Sequence, residues 1–353
     1  MACPDVRSPT HQARGTPIEG HAAFGYHLVH CTCAPSTVSG HGFMIKLLKK
    51  EALGPRFHTY PFLGPFGFVR LHYTEWGPRE SERTVICLHG LTRNGRDFDF
   101  LARHLAQRGM RVVAPDLPGR GRSDRLPGAQ HYVTETYLSA MTALLCRLDV
   151  PEVDWVGTSL GGHIGMEFAA RRGAPVRRLV LNDFGARLQG SALHRLGQYS
   201  RMRKQFGSMD ELEQHLRTIY RPFGALTDEQ WRHMTEHSAA RDDQGNFCQN
   251  FDTAISTTFM LWPAMLDIAL WHVWERVECP ALILRGETSD LLLAHTVNEM
   301  KERGIAAARD LVESVEIPDC GHAPSLMDPE QIRVIEEFLV RDDTRAEARQ
   351  ASG

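Results

Sequence analysis

Short apolar runs alternate with longer segments of helical periodicity along most of the chain. Continuous apolar runs are typical of strands buried on both faces, and apolar residues three and four positions apart predict amphipathic helices. The pattern predicts strands near 56–62, 67–75, 84–88, 111–115, 153–157, 178–181, 281–285 and 311–317. It predicts helices near 97–108, 133–148, 160–172, 294–303 and 329–340. The alternation indicates a mostly parallel sheet with helices on both faces.

One long segment interrupts this alternation. Residues 184–277 show no strand pattern, and their periodicity predicts only helices, near 198–206, 209–220, 228–236 and 262–274. Because the segment follows the sixth strand, we expect it to cover the carboxyl ends of the strands, where open α/β sheets bind ligands. The predicted domains are a core of 51–183 and 279–341, a helical cap or lid of 184–278, and a flexible tail of 342–353.

The first 43 residues differ from the rest. They are rich in His, Pro, Ser, Thr and Gly, and they show no helical or strand period. They also lack the basic start and apolar stretch of a secretory signal. We expect 1–43 to be a disordered N-terminal extension, and Met44 is an alternative start that leaves open whether this segment belongs to the native protein.

Composition excludes several classes of protein. The chain has 353 residues, of which 42% are hydrophobic and 24% charged, with a formal net charge of −3. These values are typical of a soluble globular protein and not of a nucleic-acid-binding one, and no apolar run approaches the roughly 20 residues of a membrane span. The eight cysteines are scattered, and Cys31 and Cys33 lack a second pair, so we predict neither a disulfide framework nor a zinc site. A reducing, cytoplasmic setting is expected.

The segment from Val153 to Gly162 carries the strongest chemical signal. An apolar strand ends in Gly157-Thr-Ser-Leu-Gly161, and a predicted helix follows at once. This is the nucleophile-elbow pattern, in which a serine occupies a strained turn between a strand and a helix. The two glycines leave space that side chains would fill, and the helix N-terminus offers free N–H groups to an oxyanion. We therefore predict Ser159 as a nucleophile.

A serine nucleophile needs a general base, and the base needs an orienting acid. On the elbow fold the chain order is serine, acid, histidine. His322 follows the last predicted strand in a Gly-His turn, and Asp290 follows the strand near 281–285. We predict His322 as the base and Asp290 as the acid. Glu287 in the same loop and Asp319 beside the histidine are rivals, and Asp319 is better explained as a turn residue.

Other polar loops are interpreted as structural. Asn182-Asp183, where the cap segment begins, fits a hinge or a helix cap. Asp116 and the turn from Gly119 to Asp124 lack the ending of a phosphate-binding loop.

The second oxyanion donor is expected in the loop after the third strand. Gly90 permits close approach of the backbone, so the N–H groups of Leu91 and Leu160 are the predicted donors. His89 is interpreted as structural, and Arg93 and Asn94 are candidates to bind substrate. An aromatic group in the cap includes Trp262; it fits the core of the cap, with one or two members lining an acyl pocket.

These motifs together resemble the α/β-hydrolase fold superfamily, specifically its cap-bearing bacterial serine hydrolases. The resemblance covers about residues 55–340. It is carried by Leu88-His-Gly90, Asp116–Asp124, Gly157–Gly161, Arg285–Asp290 and Gly321-His322. It implies an eight-stranded, mostly parallel sheet flanked by helices, with the second strand antiparallel and a helical cap inserted after strand 6.

The predicted activity is hydrolysis of carboxylic esters or lactones through an acyl-enzyme, with no cofactor or metal. A second possibility is hydrolysis of a C–C bond in ring-cleavage diketones, although those relatives carry an aromatic residue after the Gly-His pair, where this chain has Ala323-Pro324. A third is a ligand-binding receptor with weak hydrolysis. The small-molecule partner is an ester or lactone, while its acyl chain, its alcohol and the oligomeric state stay open.

Overall fold

The structure is a computed structural model, and it describes residues 54–201, 204–257 and 263–341. The predicted N-terminal extension (1–43), the predicted tail (342–353) and Trp262 lie outside the described residues.

An eight-stranded sheet forms the centre of the described chain. Its order is β1-β2-β4-β3-β5-β6-β11-β12. The second strand pairs antiparallel with both β1 and β4, and all other neighbours in the sheet are parallel. The strands of the sheet are β1 (Arg56–Gly64), β2 (Gly67–Trp76), β3 (Thr84–Leu88), β4 (Arg111–Asp116), β5 (Val153–Thr158), β6 (Val176–Asn182), β11 (Ala281–Gly286) and β12 (Val312–Ile317). The predicted sheet and its antiparallel second strand are confirmed.

Helices cover both faces of the sheet. The helices are α1 (Asp99–Gln107), α2 (Thr134–Leu148), α3 (Leu160–Ala169), α4 (Gly190–Arg201), α5 (Met209–Ile219), α6 (Asp228–Ser238), α7 (Trp271–Trp274), α8 (Ala294–Met300), α9 (Ile305–Ala308) and α10 (Pro329–Val340). Alternate strand residues point to opposite faces, so in β3 Val85 and Cys87 pack with α1 and α10, whereas Ile86 and Leu88 pack with α2 and α3. This two-sided burial explains why the central strands are continuous apolar runs.

The cap, residues 184–278, lies between β6 and β11 in the chain. It contains helices α4 to α7, of which α5 and α6 match the helices predicted near 209–220 and 228–236. The helix predicted near 198–206 instead begins at Gly190, and residues 204–206 are not helical; of the described part of the helix predicted near 262–274, only Trp271–Trp274 is helical. The cap also contains two small antiparallel pairs. The paired strands are β7 (Arg187–Leu188) with β10 (Ile268–Ala269) and β8 (Ala239–Arg241) with β9 (Phe247–Gln249). The prediction of helices only was wrong, because strands of two or three residues are too short to show a period.

Helix α3 lies very close to the sheet. An added Cβ at Gly161 would sit 1.9 Å from the carbonyl oxygen of Leu88, and one at Gly157 would sit 2.3 Å from that of Gly161. Further along the helix, a Cβ at Gly165 would sit 2.4 Å from Trp155 Nε1. These glycines let the helix begin directly above the ends of β3 and β5.

We expect Gly161→Ala to destabilise the fold because the new methyl group meets backbone that cannot move aside. The free energy of unfolding should fall by about 3 kcal/mol, at the upper end of the usual range for overpacking. Equilibrium urea unfolding measures it. Gly207→Ala is the control, since its nearest neighbour would be 3.5 Å away, and equal stability of both variants would contradict the argument.

Candidate active site

Ser159 occupies the turn between β5 and α3. Its backbone has a φ of 52°, in the left-handed region that non-glycine residues seldom adopt. Two hydrogen bonds hold this turn: the N–H of Ser159 donates to the carbonyl oxygen of Asn182 at 2.9 Å, and its carbonyl oxygen accepts from His163 N at 2.9 Å. Strain of this kind persists only where the surroundings impose it, and it is concentrated at functional sites.

Three side chains form a hydrogen-bonded chain at this turn. His322 Nε2 lies 2.9 Å from Ser159 Oγ, and His322 Nδ1 lies 2.6 Å from Asp183 Oδ2. An ionised carboxylate can only accept, so His322 donates its Nδ1 proton to Asp183 and presents the Nε2 lone pair to the serine hydroxyl. This is the arrangement of a nucleophile, a general base and an orienting acid.

Asp183 is held from several sides. Its Oδ1 accepts from the N–H of Gly286 at 3.0 Å, and its Oδ2 accepts from Ser289 Oγ at 2.7 Å as well as from His322. The backbone N–H of Asp183 donates to the carbonyl oxygen of Leu284 at 2.8 Å. The side chain has no exposed surface, and each of its oxygens has at least one donor. The carboxylate is therefore fixed in position and compensated for its burial.

Asp290 does not contact His322, and its prediction as the acid is wrong. Its side chain is 55% exposed and forms an ion pair with Arg195 of α4. The end of β11 and the loop after it instead contribute the N–H of Gly286 and the hydroxyl of Ser289, both of which support Asp183. The rival Glu287 is also turned away, since it accepts from the backbone N–H of Asp319 at 3.0 Å.

The interpretation of Asn182-Asp183 as a hinge or cap must likewise be corrected. Strands β5 and β6 are parallel neighbours, so the residues at their carboxyl ends meet at one edge of the sheet. Asp183 follows β6 as directly as Ser159 follows β5, and the chain order Ser159, Asp183, His322 satisfies the expected order. A carboxylate directly after Asn182, at the end of the strand beside β5, is the signal that could have identified it.

The loop after β3 presents Leu91 toward the same site. His89 is buried, and its burial lowers the pKa of the ring to about 3, so the imidazole is neutral at neutral pH. Its Nε2 accepts from the N–H of Leu117 at 3.0 Å, and its Nδ1 donates to the carbonyl oxygen of Gly90 at 2.8 Å. That carbonyl shares a planar peptide with the N–H of Leu91, so His89 fixes the direction of this predicted oxyanion donor.

A buried arginine holds the other side of Leu91. Arg120 is 1% exposed, and its Nε donates to the carbonyl oxygen of Leu91 at 2.9 Å. Its Nη1 donates to the carbonyl oxygen of Pro118 at 2.7 Å and to the hydroxyl of Tyr137 at 2.8 Å. The motif from Gly119 to Asp124 predicts only a structural turn for this arginine, because nothing in it shows that the side chain reaches the loop after β3.

Two cavities meet at Ser159. Both are lined by Leu91, Ser159 and Leu196. The first, of about 120 Å³, also touches His322 and carries polar groups from Thr92, Arg93, Tyr220 and Gln249. The second, of about 270 Å³, is mostly apolar. Its apolar lining comes largely from Leu160, Phe184, Leu188, Leu193, Ile268, Leu270 and Leu291.

The candidate substrate-binding residues Arg93 and Asn94 lie in different surroundings. Arg93 lines the first cavity, but its guanidinium is bound to Asp97 and donates to Ser238 Oγ at 2.9 Å. Asn94 does not line either cavity at Ser159; its side chain caps the turn after it and donates to the carbonyl oxygen of His237 at 2.9 Å. The prediction for Asn94 is wrong, because its amide joins the core to the cap. Trp262 lies outside the described residues.

The comparisons with known proteins agree with this fold. The model of the alpha/beta hydrolase family matches residues 85–333. The chain belongs to this family. A 3-hydroxybutyrate-oligomer hydrolase of Cupriavidus necator is 42% identical over 293 residues, which cover 81% of this chain and 98% of that protein. Lipase LipV of Mycobacterium tuberculosis is 39% identical over 123 residues, 35% of this chain and 45% of that protein.

A solved structure agrees with the fold. The crystal structure of an alpha/beta hydrolase from Novosphingobium aromaticivorans DSM 12444 has a TM-score of 0.71 and 31% identity, and the match covers 81% of this chain and 98% of that one. The family and these relatives support hydrolase activity. Among the described residues, none of the helices has the length and apolar character needed to cross a membrane.

The two candidate acids can be separated by a pair of variants. Asp183→Asn should lower kcat on p-nitrophenyl butyrate by about 10⁴-fold, because an amide cannot hold the His322 tautomer that faces the serine. Asp290→Asn should leave kcat close to the wild-type value, because its carboxylate is exposed and paired elsewhere. The reverse pattern of loss would restore Asp290 as the acid.

Arg120 gives a second test, directed at the Leu91 backbone. Arg120→Met should lower kcat by about tenfold with little change in KM, a fraction of the loss seen when an oxyanion donor is removed outright. The neighbouring Arg122→Met is the control, since that side chain is exposed. Circular dichroism establishes that both variants are folded, and a folded Arg120→Met enzyme with wild-type kcat would contradict the positioning role.

Proposed function

We propose that this protein hydrolyses carboxylic esters through an acyl-enzyme formed on Ser159. Ser159 Oγ attacks the ester carbonyl carbon while His322 Nε2 takes its proton. The N–H groups of Leu91 and Leu160 bind the oxygen that becomes negative. When the tetrahedral intermediate collapses, the C–O bond breaks and His322 gives its proton to the departing alcohol oxygen.

The second half of the reaction repeats these steps with water. His322 takes a proton from water while the water oxygen attacks the acyl carbon. His322 then gives a proton to Ser159 Oγ as the carboxylic acid leaves. Asp183 stays ionised throughout and stabilises the imidazolium that forms in each half-reaction. This sequence moves one proton back and forth at His322 Nε2, and it needs no cofactor or metal.

The observation that carries this proposal is the continuous hydrogen-bonded chain from Ser159 through His322 to Asp183. The 2.9 Å between Ser159 Oγ and His322 Nε2 is within reach for proton transfer, and the 2.6 Å between His322 Nδ1 and Asp183 Oδ2 is a hydrogen bond that orients the ring. The position of Leu160 supports the proposed role of its N–H as an oxyanion donor. Leu160 is the first residue of α3, and N–H groups in the first turn of a helix have no acceptor within the helix.

We further propose that the substrates are short oligomers of hydroxy acids joined by ester bonds. The support is the 42% identity with a 3-hydroxybutyrate-oligomer hydrolase over nearly its whole length. An ester bond inside such an oligomer has a repeat unit on each side, and Ser159 lies where two cavities meet. The polar groups of the first cavity and the apolar wall of the second suit units that each carry both methyl and carbonyl groups.

The experiment is a steady-state assay on the linear trimer of 3-hydroxybutyrate, with products separated by liquid chromatography. The wild-type enzyme should release monomer and dimer, and Ser159→Ala should reduce kcat by about 10⁶-fold, the scale seen when a serine nucleophile is removed. Ser139→Ala is the matched control, because that exposed hydroxyl on α2 donates only to the carbonyl oxygen of Glu135.

Other outcomes distinguish the remaining activities. Turnover of p-nitrophenyl esters or lactones without turnover of the trimer would keep the ester mechanism and reject the oligomer. Turnover of a ring-cleavage diketone alone would favour C–C hydrolysis. Slow single-turnover acylation with tight retention of the ligand would favour a receptor. Activity that persisted in Ser159→Ala would reject Ser159 as the nucleophile.

A further inference from the structure

A group of side chains of the types that bind metal ions lies where the cap meets the core, outside the cavities at Ser159. It consists of Asp99, the first residue of α1, and His233 and His237 of the cap helix α6. His233 Nε2 lies 3.4 Å from Asp99 Oδ2, and His237 Nε2 lies 3.9 Å from the same oxygen. One ligand atom from each residue lies within 4.8 Å of the other two.

These spacings suit a tetrahedral ion. Zinc binds imidazole nitrogen and carboxylate oxygen at about 2.0–2.2 Å, so two ligands at a tetrahedral angle lie about 3.3–3.5 Å apart. The two histidines are four residues apart on one helix, which places them on one face, and their ring centroids are 4.3 Å apart. Only small movements of the two rings would bring all three ligand atoms to binding distance.

Arg96 is the group that competes for Asp99. Its Nε lies 3.0 Å from Oδ1 and 2.8 Å from Oδ2, so it contacts both oxygens. Its Nη2 also donates to Oδ2, the oxygen that faces the two histidines, so an ion on Oδ2 would displace that contact. Nε would stay on Oδ1, where it would orient the carboxylate as outer-shell partners of metal ligands do. His233 Nε2 now lies 3.0 Å from the carbonyl oxygen of Arg96, a hydrogen bond that metal binding would replace.

Space for a fourth ligand lies beside the cluster. A third cavity, of about 170 Å³, is lined by His237 and Arg96 together with Asn94, His72 and Glu236. It is polar and large enough to hold water. Asp99 and His233 do not line this cavity, so a water in it would reach the ion from the side of His237 as the fourth ligand.

We propose that Asp99, His233 and His237 bind a divalent transition-metal ion of the zinc type, and that this ion joins the cap to the core. The ligands come from both parts of the molecule, and α6 already contacts the loop after β3 through Arg93 and Asn94. Bound metal would hold α6 against the loop that carries Leu91. The ion takes no part in the proposed hydrolysis, and the proposed metal site does not depend on that hydrolysis.

The test is calorimetric titration of the full chain with zinc chloride at neutral pH. The chain has 18 histidines and eight cysteines, so the result is the difference between variants. The double variant His233→Gln/His237→Gln should bind one ion fewer than the wild type, or its affinity for that ion should fall by more than the roughly 10–100-fold that follows the loss of an outer-shell partner. His104→Gln, a core histidine paired with Glu336, should titrate as the wild type does.

A second measurement keeps the proposal testable if the double variant does not fold. Wild-type crystals soaked in zinc chloride should show an anomalous peak about 2.0–2.2 Å from the ligand atoms of Asp99, His233 and His237. Identical titrations of the wild type and a folded double variant would overturn the proposal. So would anomalous peaks elsewhere with none at this cluster, and the group would then be a hydrogen-bonded contact between cap and core.

Discussion

The buried carboxylate of Asp183 is the constraint on which the site depends. A charge removed from water costs several kcal/mol unless hydrogen bonds replace the lost hydration. Asp183 meets this requirement with the N–H of Gly286, the hydroxyl of Ser289 and the imidazole of His322. Because these donors come from the end of β11, the loop after it and the loop after β12, Asp183 also fixes how these segments meet the end of β6.

The cap begins at the residue after this carboxylate. Phe184 lines the larger cavity, and Leu196 of α4 lines both cavities at Ser159. At its other side, α6 contacts the loop that presents Leu91, through Ser238 and the carbonyl oxygen of His237. The cap is therefore connected to Asp183 and to the loop that presents Leu91, so in the proposed mechanism the segment that encloses the substrate is linked to the reacting groups.

Local constraints explain which parts of the site could be predicted from sequence. The elbow around Ser159 needs glycines at fixed positions, and His322 needs only a turn after the last strand, so both are readable from a few adjacent residues. Sequence alone does not single out Asp183, the proposed acid, because β6 and β11 are parallel neighbours that end at the same edge of the sheet, and only the path of the loop after β11 shows that Asp290 points outward. Arg120 acts through a contact 29 residues away in sequence, which no local motif records.

The fold was predictable because each central strand is buried on both faces, whereas the two- and three-residue strands of the cap leave no period.

The most direct test of the account is rapid acid quenching of the enzyme during turnover of the 3-hydroxybutyrate trimer, followed by peptide mass mapping. The account predicts a hydroxybutyryl or oligomeric acyl group on the peptide that contains Ser159, and none on that peptide in the Ser159→Ala variant. An acyl group on a different residue, or turnover with no covalent adduct under conditions that trap acyl-enzymes of known serine esterases, would contradict it.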